Sequence, residues 1–128
     1  MKICHLAAMV FLILISGCAA NSQSEPDLGY QGKNGDVFGY GTVSNAISSL
    51  AAIPGAEKRV VREWTVISIR SQGEIWSFPP ESHAAYPSAV KRKVFEKNGG
   101  IYLDTKVNCA ASRSSCDNLV KDFVELNK

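Results

Sequence analysis

The dipeptide Asn98-Gly99 constrains the fold of this chain more than any other pair of residues. It lies between two segments in which apolar and polar side chains alternate. Asn-Gly is the strongest short signal for a two-residue β-hairpin turn, because both turn positions need a positive φ. We therefore predict a hairpin over residues 89–109 with its turn at this dipeptide.

The register that such a turn imposes brings compatible side chains together. Phe95 then faces Tyr102, and Lys93 faces Asp104. Aromatic and oppositely charged cross-strand pairs both stabilise a sheet, which supports this register. The same register adds two aliphatic pairs: Val90 with Val107, and Val94 with Leu103. One face of the hairpin is predicted to belong to the core: Val90, Val94, Ile101, Leu103 and Val107. The other face carries Lys91, Lys93, Phe95, Tyr102, Asp104 and Lys106.

A second hairpin is predicted upstream, from a strand at residues 60–70 and a strand at residues 74–78. Both segments are rich in Val, Ile, Trp and Thr or Phe, which favour strands. Pairing Arg70 with Glu74 sets the register, with these further pairs: Trp76 with Ser68, and Phe78 with Val66. Both faces are then apolar, which indicates a hairpin covered on both sides. For Trp64 and Trp76, core packing and ligand stacking both stay open.

Helical spacing of apolar residues occurs on either side of the two hairpins. The first stripe consists of Val43, Ala46, Ile47, Leu50 and Ala51, with Thr42 or Ser44 as cap. The second consists of Cys116, Leu119, Val120, Phe123 and Val124, with Ser114 and Asp117 as a capping box. The predicted fold class is therefore α+β, a mostly antiparallel four-stranded sheet of two hairpins with an N-terminal and a C-terminal helix.

The N-terminal segment has the composition of a signal peptide. Residues 6–15 are apolar and follow the single charge of Lys2, and they are too few to span a bilayer. The run Leu14-Ile15-Ser16-Gly17-Cys18 that follows resembles the lipobox of bacterial lipoproteins. An N-terminal anchor helix or a buried helix is the alternative.

The resemblance implies processing and a location. Residues 1–17 are then cleaved and Cys18 is lipidated, which anchors the chain to a membrane. Ala19 stands where Asp favours retention in the inner membrane, so the outer membrane, facing the periplasm, is implied. With Cys4 removed and Cys18 acylated, Cys109 and Cys116 stay as a pair in an oxidising compartment, and we predict a disulfide between them. Metal binding is the competing interpretation, but two thiols fall short of a four-ligand site, and no metal is predicted.

Glycine and polar residues dominate the stretch between the lipidated cysteine and the first helix. We assign residues 18–41 to a tether and residues 42–128 to one small domain. The tether also contains aromatic residues, and whether these dock on the domain or on a partner stays open. The chain has 14 basic and 12 acidic side chains, and loss of Lys2 with the leader leaves 13 basic against 12 acidic ones, so the mature chain is nearly neutral. Nucleic acid is therefore not an expected partner. The glycines do not follow the GxxxxGK or GxGxxG spacing of phosphate-binding loops, and no cofactor is predicted.

Two candidate sites follow from the residues. Lys91, Lys93, Phe95, Tyr102 and Lys106 form a basic, aromatic face suited to an anionic glycan or lipid headgroup or to an acidic protein. An ordinary solvated sheet face is the alternative. His83 lies beside Glu81 and Ser82 in the proline-bounded loop 79–88, without the separate supporting elements that a catalytic triad needs, so we predict no catalytic residue.

The predicted function is that of a lipid-anchored, non-enzymatic protein of the cell envelope with a binding or structural role in the periplasm. The alternative is a periplasmic inhibitor or immunity protein that blocks a cell-wall-degrading or lipid-degrading enzyme.

Overall fold

A computed structural model describes residues 30–128 of the chain. The predicted leader, lipidation site and first part of the tether, including Cys18, lie outside these described residues. The elements in chain order are α1 (Val43–Ala51), β1 (Glu57–Val61), β2 (Trp64–Ile69), a short 3₁₀ helix (Arg70–Gln72), β3 (Glu74–Phe78), β4 (Ser88–Lys97), β5 (Gly100–Cys109) and α2 (Arg113–Leu126).

The five strands form one antiparallel sheet in the order β1-β2-β3-β4-β5. Each strand pairs with the next one along the chain, so short connections suffice throughout. The α+β class and the antiparallel sheet agree with the sequence analysis, but the sheet has five strands and not four.

The additional strand is β1. The single strand predicted over residues 60–70 is instead the end of β1, a turn and β2. The chain reverses at Arg62 and Glu63, which have φ of 49° and 70°, and β1 then pairs with β2. All five residues of β1 are exposed, as expected for a charged edge strand. The reversal escaped prediction because neither turn residue is glycine or asparagine, the usual occupants of positive φ.

The register of the downstream hairpin is confirmed pair by pair. Phe95 lies opposite Tyr102, and Lys93 lies opposite Asp104. Asn98 and Gly99 both have positive φ, of 52° and 78°, so the two-residue turn forms where the Asn-Gly signal placed it.

The register of the upstream hairpin differs from the prediction by one residue. Ile67 pairs with Trp76 and Ile69 pairs with Glu74, because residues 70–72 coil into a 3₁₀ turn that Gly73 ends at φ 65°. A one-residue shift exchanges the faces of a strand. Trp76 and Phe78 therefore lie on the same face as Ile67 and Ile69.

Each face of the sheet has its own buried cluster. On one face, α1 packs through Ala46 and Leu50 against a cluster that includes Ile67, Trp76 and Phe78. On the other face, α2 packs its Cys116, Leu119 and Phe123 against Val90, with Trp64 at the margin. One helix thus packs on each face of the sheet.

Thr42 caps α1, as one of the two predicted candidates. Its Oγ1 accepts from the N–H of Asn45 at 3.1 Å. The cap of α2 differs from the prediction: Ser112, not Ser114, accepts from the N–H of Ser115, and the helix begins at Arg113. Cys109 at the end of β5 and Cys116 in the first turns of α2 are joined by a disulfide, with Cα atoms 5.9 Å apart.

Residues 30–41, assigned by composition to the tether, pack on the sheet. Val37 is only 2% exposed and belongs to the α1-side cluster. Phe38 and Tyr40 contact the Trp76 ring edge-on, at centroid distances of 5.2 and 6.1 Å. The carbonyl of Gln31 accepts from the N–H of Cys109. The packed chain therefore begins no later than Tyr30, and the predicted boundary at residue 42 does not mark its start.

Candidate functional site

The five residues of the predicted binding face share one side of the β4-β5 hairpin. Alternation along paired strands brings Lys91, Lys93 and Phe95 of β4 beside Tyr102 and Lys106 of β5. Phe95 and Tyr102 stack with ring centroids 5.6 Å apart. The juxtaposition expected from the register is therefore present, although its members have different surroundings.

Lys91 is engaged within the fold. Its Nζ lies 3.1 Å from Oε1 of Glu74 and 5.2 Å from the centre of the Trp76 ring. The indole N–H of Trp76 donates to Oε2 of Glu74 at 3.0 Å. Glu74 is therefore the negative group that offsets the like-charge pairing of Lys91 with Lys106. Lys91 is therefore a partly buried member of a polar network with Glu74 and Trp76, and it is less open to a ligand than the exposed Lys93 and Lys106.

Beyond Lys93 the hairpin extends past the rest of the sheet. β3 pairs with β4 only from the pair Ser77 and Val90 to the pair Glu74 and Lys93. Just beyond these pairs, the N–H of Val94 donates a hydrogen bond to the carbonyl of Gly73. Residues 94–103 therefore project as a two-stranded ribbon, which we call the arm.

Both faces of the arm expose large apolar side chains. Five of the nine such side chains in the described residues lie here. Phe95 and Tyr102, 40% and 51% exposed, are on one face. The opposite face carries Val94, Ile101 and Leu103, of which Ile101 is 74% exposed. The prediction that these three belong to the core is wrong, because neither β3 nor α2 extends over this part of the hairpin; only the Val90 and Val107 end of that face joins the α2-side cluster.

The loop of residues 79–88 packs beside α2. Ala85 is fully buried, and Nδ1 of His83 accepts from its N–H at 3.0 Å. The His83 ring contacts Trp64 edge-on, with centroids 5.1 Å apart. The peptide bond between Tyr86 and Pro87 is cis. His83 therefore has a packing role within the loop.

Among residues 30–128, no group of three or more His, Cys, Asp or Glu side chains is arranged to hold a metal ion. No helix in this part of the chain has the length and apolarity that crossing a membrane requires. Comparison of the chain with protein-family models, with curated proteins and with solved structures finds no match.

Proposed function

We propose that this chain is a lipid-anchored protein of the bacterial cell envelope that binds a second envelope protein through the arm, without catalysis. The observation that carries the proposal is the projection of residues 94–103 beyond the sheet, with large apolar side chains on both faces. Contiguous exposed apolar surface of this kind is typical of an interaction site.

The construction of the arm supports a partner that encloses it. An isolated two-stranded ribbon is only marginally stable in water, and burial of its apolar side chains on a partner removes that weakness. Exposed lysines flank the apolar surface at Lys93, Lys97 and Lys106. A partner with an apolar recess and acidic groups at its rim fits this distribution of charge.

The arm can be tested directly by site-specific photo-cross-linking in intact cells. A benzophenone amino acid in place of Tyr102 should capture one defined envelope protein, whereas the same probe in place of Val60 on β1 should not. Val60 is a matched control because it is 66% exposed and lies at the opposite edge of the sheet. Identical adducts from both positions would contradict the proposal.

A second experiment separates the arm from the fold. Ile101→Ser with Leu103→Ser should abolish co-purification of the captured protein and leave thermal stability nearly unchanged, because both side chains are exposed. Val124→Ser, an exposed apolar change on α2, is the control and should preserve co-purification. Retention of the partner by the double variant would exclude the arm as the contact.

Membrane attachment is part of the proposal and needs its own test. Metabolic labelling with palmitate should mark the wild-type chain and not the Cys18→Ala variant. Equal labelling of both would overturn the lipid anchor but not the proposed contact through the arm.

The shape of the arm favours one alternative, an inhibitor or immunity protein. A narrow projecting hairpin suits insertion into the active-site cleft of a cell-wall-degrading or lipid-degrading enzyme. In that case the protein captured at position 102 is a hydrolase, and cells without this chain lose viability when that hydrolase is supplied.

A further inference from the structure

A cleft of about 670 Å³ lies on the α2 side of the sheet, away from the arm. α2 covers only part of this face, and the uncovered part next to β1 and β2 forms the floor of the cleft. Trp64, Val66 and Phe123 supply apolar walls, with Val61 and Leu126 exposed at the rim. The volume is within the range of sites that hold a small organic ligand, about 300 to 1,000 Å³.

The polar groups of the cleft are predominantly cationic. Arg59, Arg62 and Arg92 line it together with one carboxylate, that of Asp122. Within residues 30–128, neither Arg59 nor Arg62 forms an ion pair. An arginine fork matches the oxygens of a carboxylate or phosphate. The excess of guanidinium groups therefore favours an anionic ligand.

Arg92 is a partly desolvated cation at the cleft. Its guanidinium lies 5.2 Å from the centre of the Phe123 ring, and one Nη donates to Oδ1 of Asn127 at 3.3 Å. Its Nε is buried and has no hydrogen-bond partner. Burial lowers the pKa of Arg92, yet a guanidinium stays charged at neutral pH. A partly buried cation with an unsatisfied donor is stabilised when an anion binds beside it.

The turn that carries Arg62 is strained. Arg62 and Glu63 both adopt positive φ, at which a side chain is disfavoured and glycine or asparagine is usual. Backbone strain of this kind concentrates at functional sites, where the surrounding structure maintains it. Here the strained turn presents Arg62 at the cleft.

We propose that this cleft binds a small amphiphilic anion, a single apolar chain that ends in a phosphate or carboxylate. The chain lies against Trp64 and Phe123, and the oxyanion lies among the guanidinium groups of Arg59, Arg62 and Arg92. Sequence patterns give no sign of this site, because the three arginines come from β1, a turn and β4 and meet only in the folded sheet.

Photoaffinity labelling in isolated membranes tests the proposal on the intact chain. The probe is dodecyl phosphate with a diazirine in its alkyl chain, and dodecanol with the same diazirine is the uncharged control. We expect the phosphate probe to label peptides that contain Trp64 or Phe123, and excess unlabelled dodecyl phosphate to suppress this labelling. Dodecanol should label these peptides weakly, because it lacks the anion.

Substitutions distinguish a binding site from chance contact with membrane lipid. Arg92→Gln and Arg62→Gln should each reduce labelling by the phosphate probe about tenfold, the effect of one charge-assisted hydrogen bond. Arg62 is on an exposed turn, so its loss does not endanger folding. Lys58→Gln removes an equal charge from the opposite face of β1 and should change nothing.

Three results would overturn the inference. They are equal labelling by the phosphate and alcohol probes, labelling that unlabelled dodecyl phosphate does not suppress, and labelling that neither arginine substitution reduces. The diazirine analogue of dodecanoate, used in parallel, decides whether phosphate or carboxylate is the preferred head group.

Discussion

Nζ of Lys91 lies 3.1 Å from Oε1 of Glu74, which is itself 8% exposed and accepts from the indole of Trp76. Lys91, which sequence alone assigns to an open binding face, thus forms a partly buried ion pair with Glu74. The proposed binding surface is therefore the arm, farther along the hairpin, and does not include Lys91.

Loss of Lys91 should therefore destabilise the fold. Lys91→Met leaves the Glu74 carboxylate buried with only the Trp76 bond, and we expect the free energy of unfolding to fall by about 2 kcal/mol. Urea denaturation measures this change. Lys106→Met is the matched control and should be neutral or slightly stabilising, because it removes the like charge opposite Lys91.

The double variant Glu74→Gln with Lys91→Met tests the coupling. Removal of both charges should recover part of the stability lost in the single variant. If Lys91→Met and Lys106→Met have equal effects on the free energy of unfolding, the ion pair between Lys91 and Glu74 does not stabilise the protein.

Removal of the disulfide should loosen the junction between β5 and α2. Cys109 and Cys116 are seven positions apart, and closure of so short a loop is worth about 2.5 kcal/mol in the chain-entropy description. Cys109→Ala with Cys116→Ala should lower the urea midpoint accordingly. A reductant should lower the midpoint of the wild type and leave the variant unchanged; no response of the wild type would contradict the bond.

The pH dependence of stability should contain a contribution from Tyr30. Burial, and secondarily the hydrogen bond to Asp117, raise the pKa of Tyr30 to about 12. The unfolded chain loses this proton near pH 10, so the stabilisation is complete below about pH 10 and declines as the pH rises to about 12.

Comparison with Tyr30→Phe isolates this contribution. The stability of the wild type relative to the variant should fall between about pH 10 and 12 and be constant below that window. Asp117→Asn should reverse only part of the rise in the pKa of Tyr30, because burial is the larger cause of that rise. The pH range over which the relative stability falls should therefore become shorter but not disappear. A relative stability that does not change with pH would contradict the assignment.

Local signals predicted the fold where the turn chemistry was explicit. Asn98-Gly99 fixed both the position and the register of the β4-β5 hairpin, since few residues other than Asn and Gly adopt its two positive φ values. The Arg62-Glu63 turn carries no such signal, and β1 was therefore missed. The 3₁₀ turn before Gly73 shifts the register of the β2-β3 hairpin by one residue, and the alternation of apolar and polar residues along the strands does not reveal this shift.

For the candidate site, the sequence predicted which side chains lie next to each other on the hairpin but not which of them are exposed. The pairing of Phe95 with Tyr102 follows from register, but exposure depends on where neighbouring elements end. β3 begins only at Glu74, and its pairing with β4 ends at Lys93, so Ile101 and Leu103 are left uncovered although their spacing is that of core residues. The ion pair of Lys91 with Glu74 could not be predicted either, because it joins β3 to β4, and their pairing does not follow from either hairpin alone.

Relief of strain in the β1-β2 turn should separate stability from ligand binding. Arg62→Asn with Glu63→Gly places the preferred residues at both positive φ positions, and we expect a gain of about 1 kcal/mol in the free energy of unfolding. The same change removes one guanidinium from the cleft and should weaken labelling by the dodecyl phosphate probe. Glu63→Gly alone is the control, because it relieves strain and retains Arg62. It should gain part of the stability and keep the labelling. A double variant that is more stable and labels as strongly as the wild type would show that the strained turn has no part in binding.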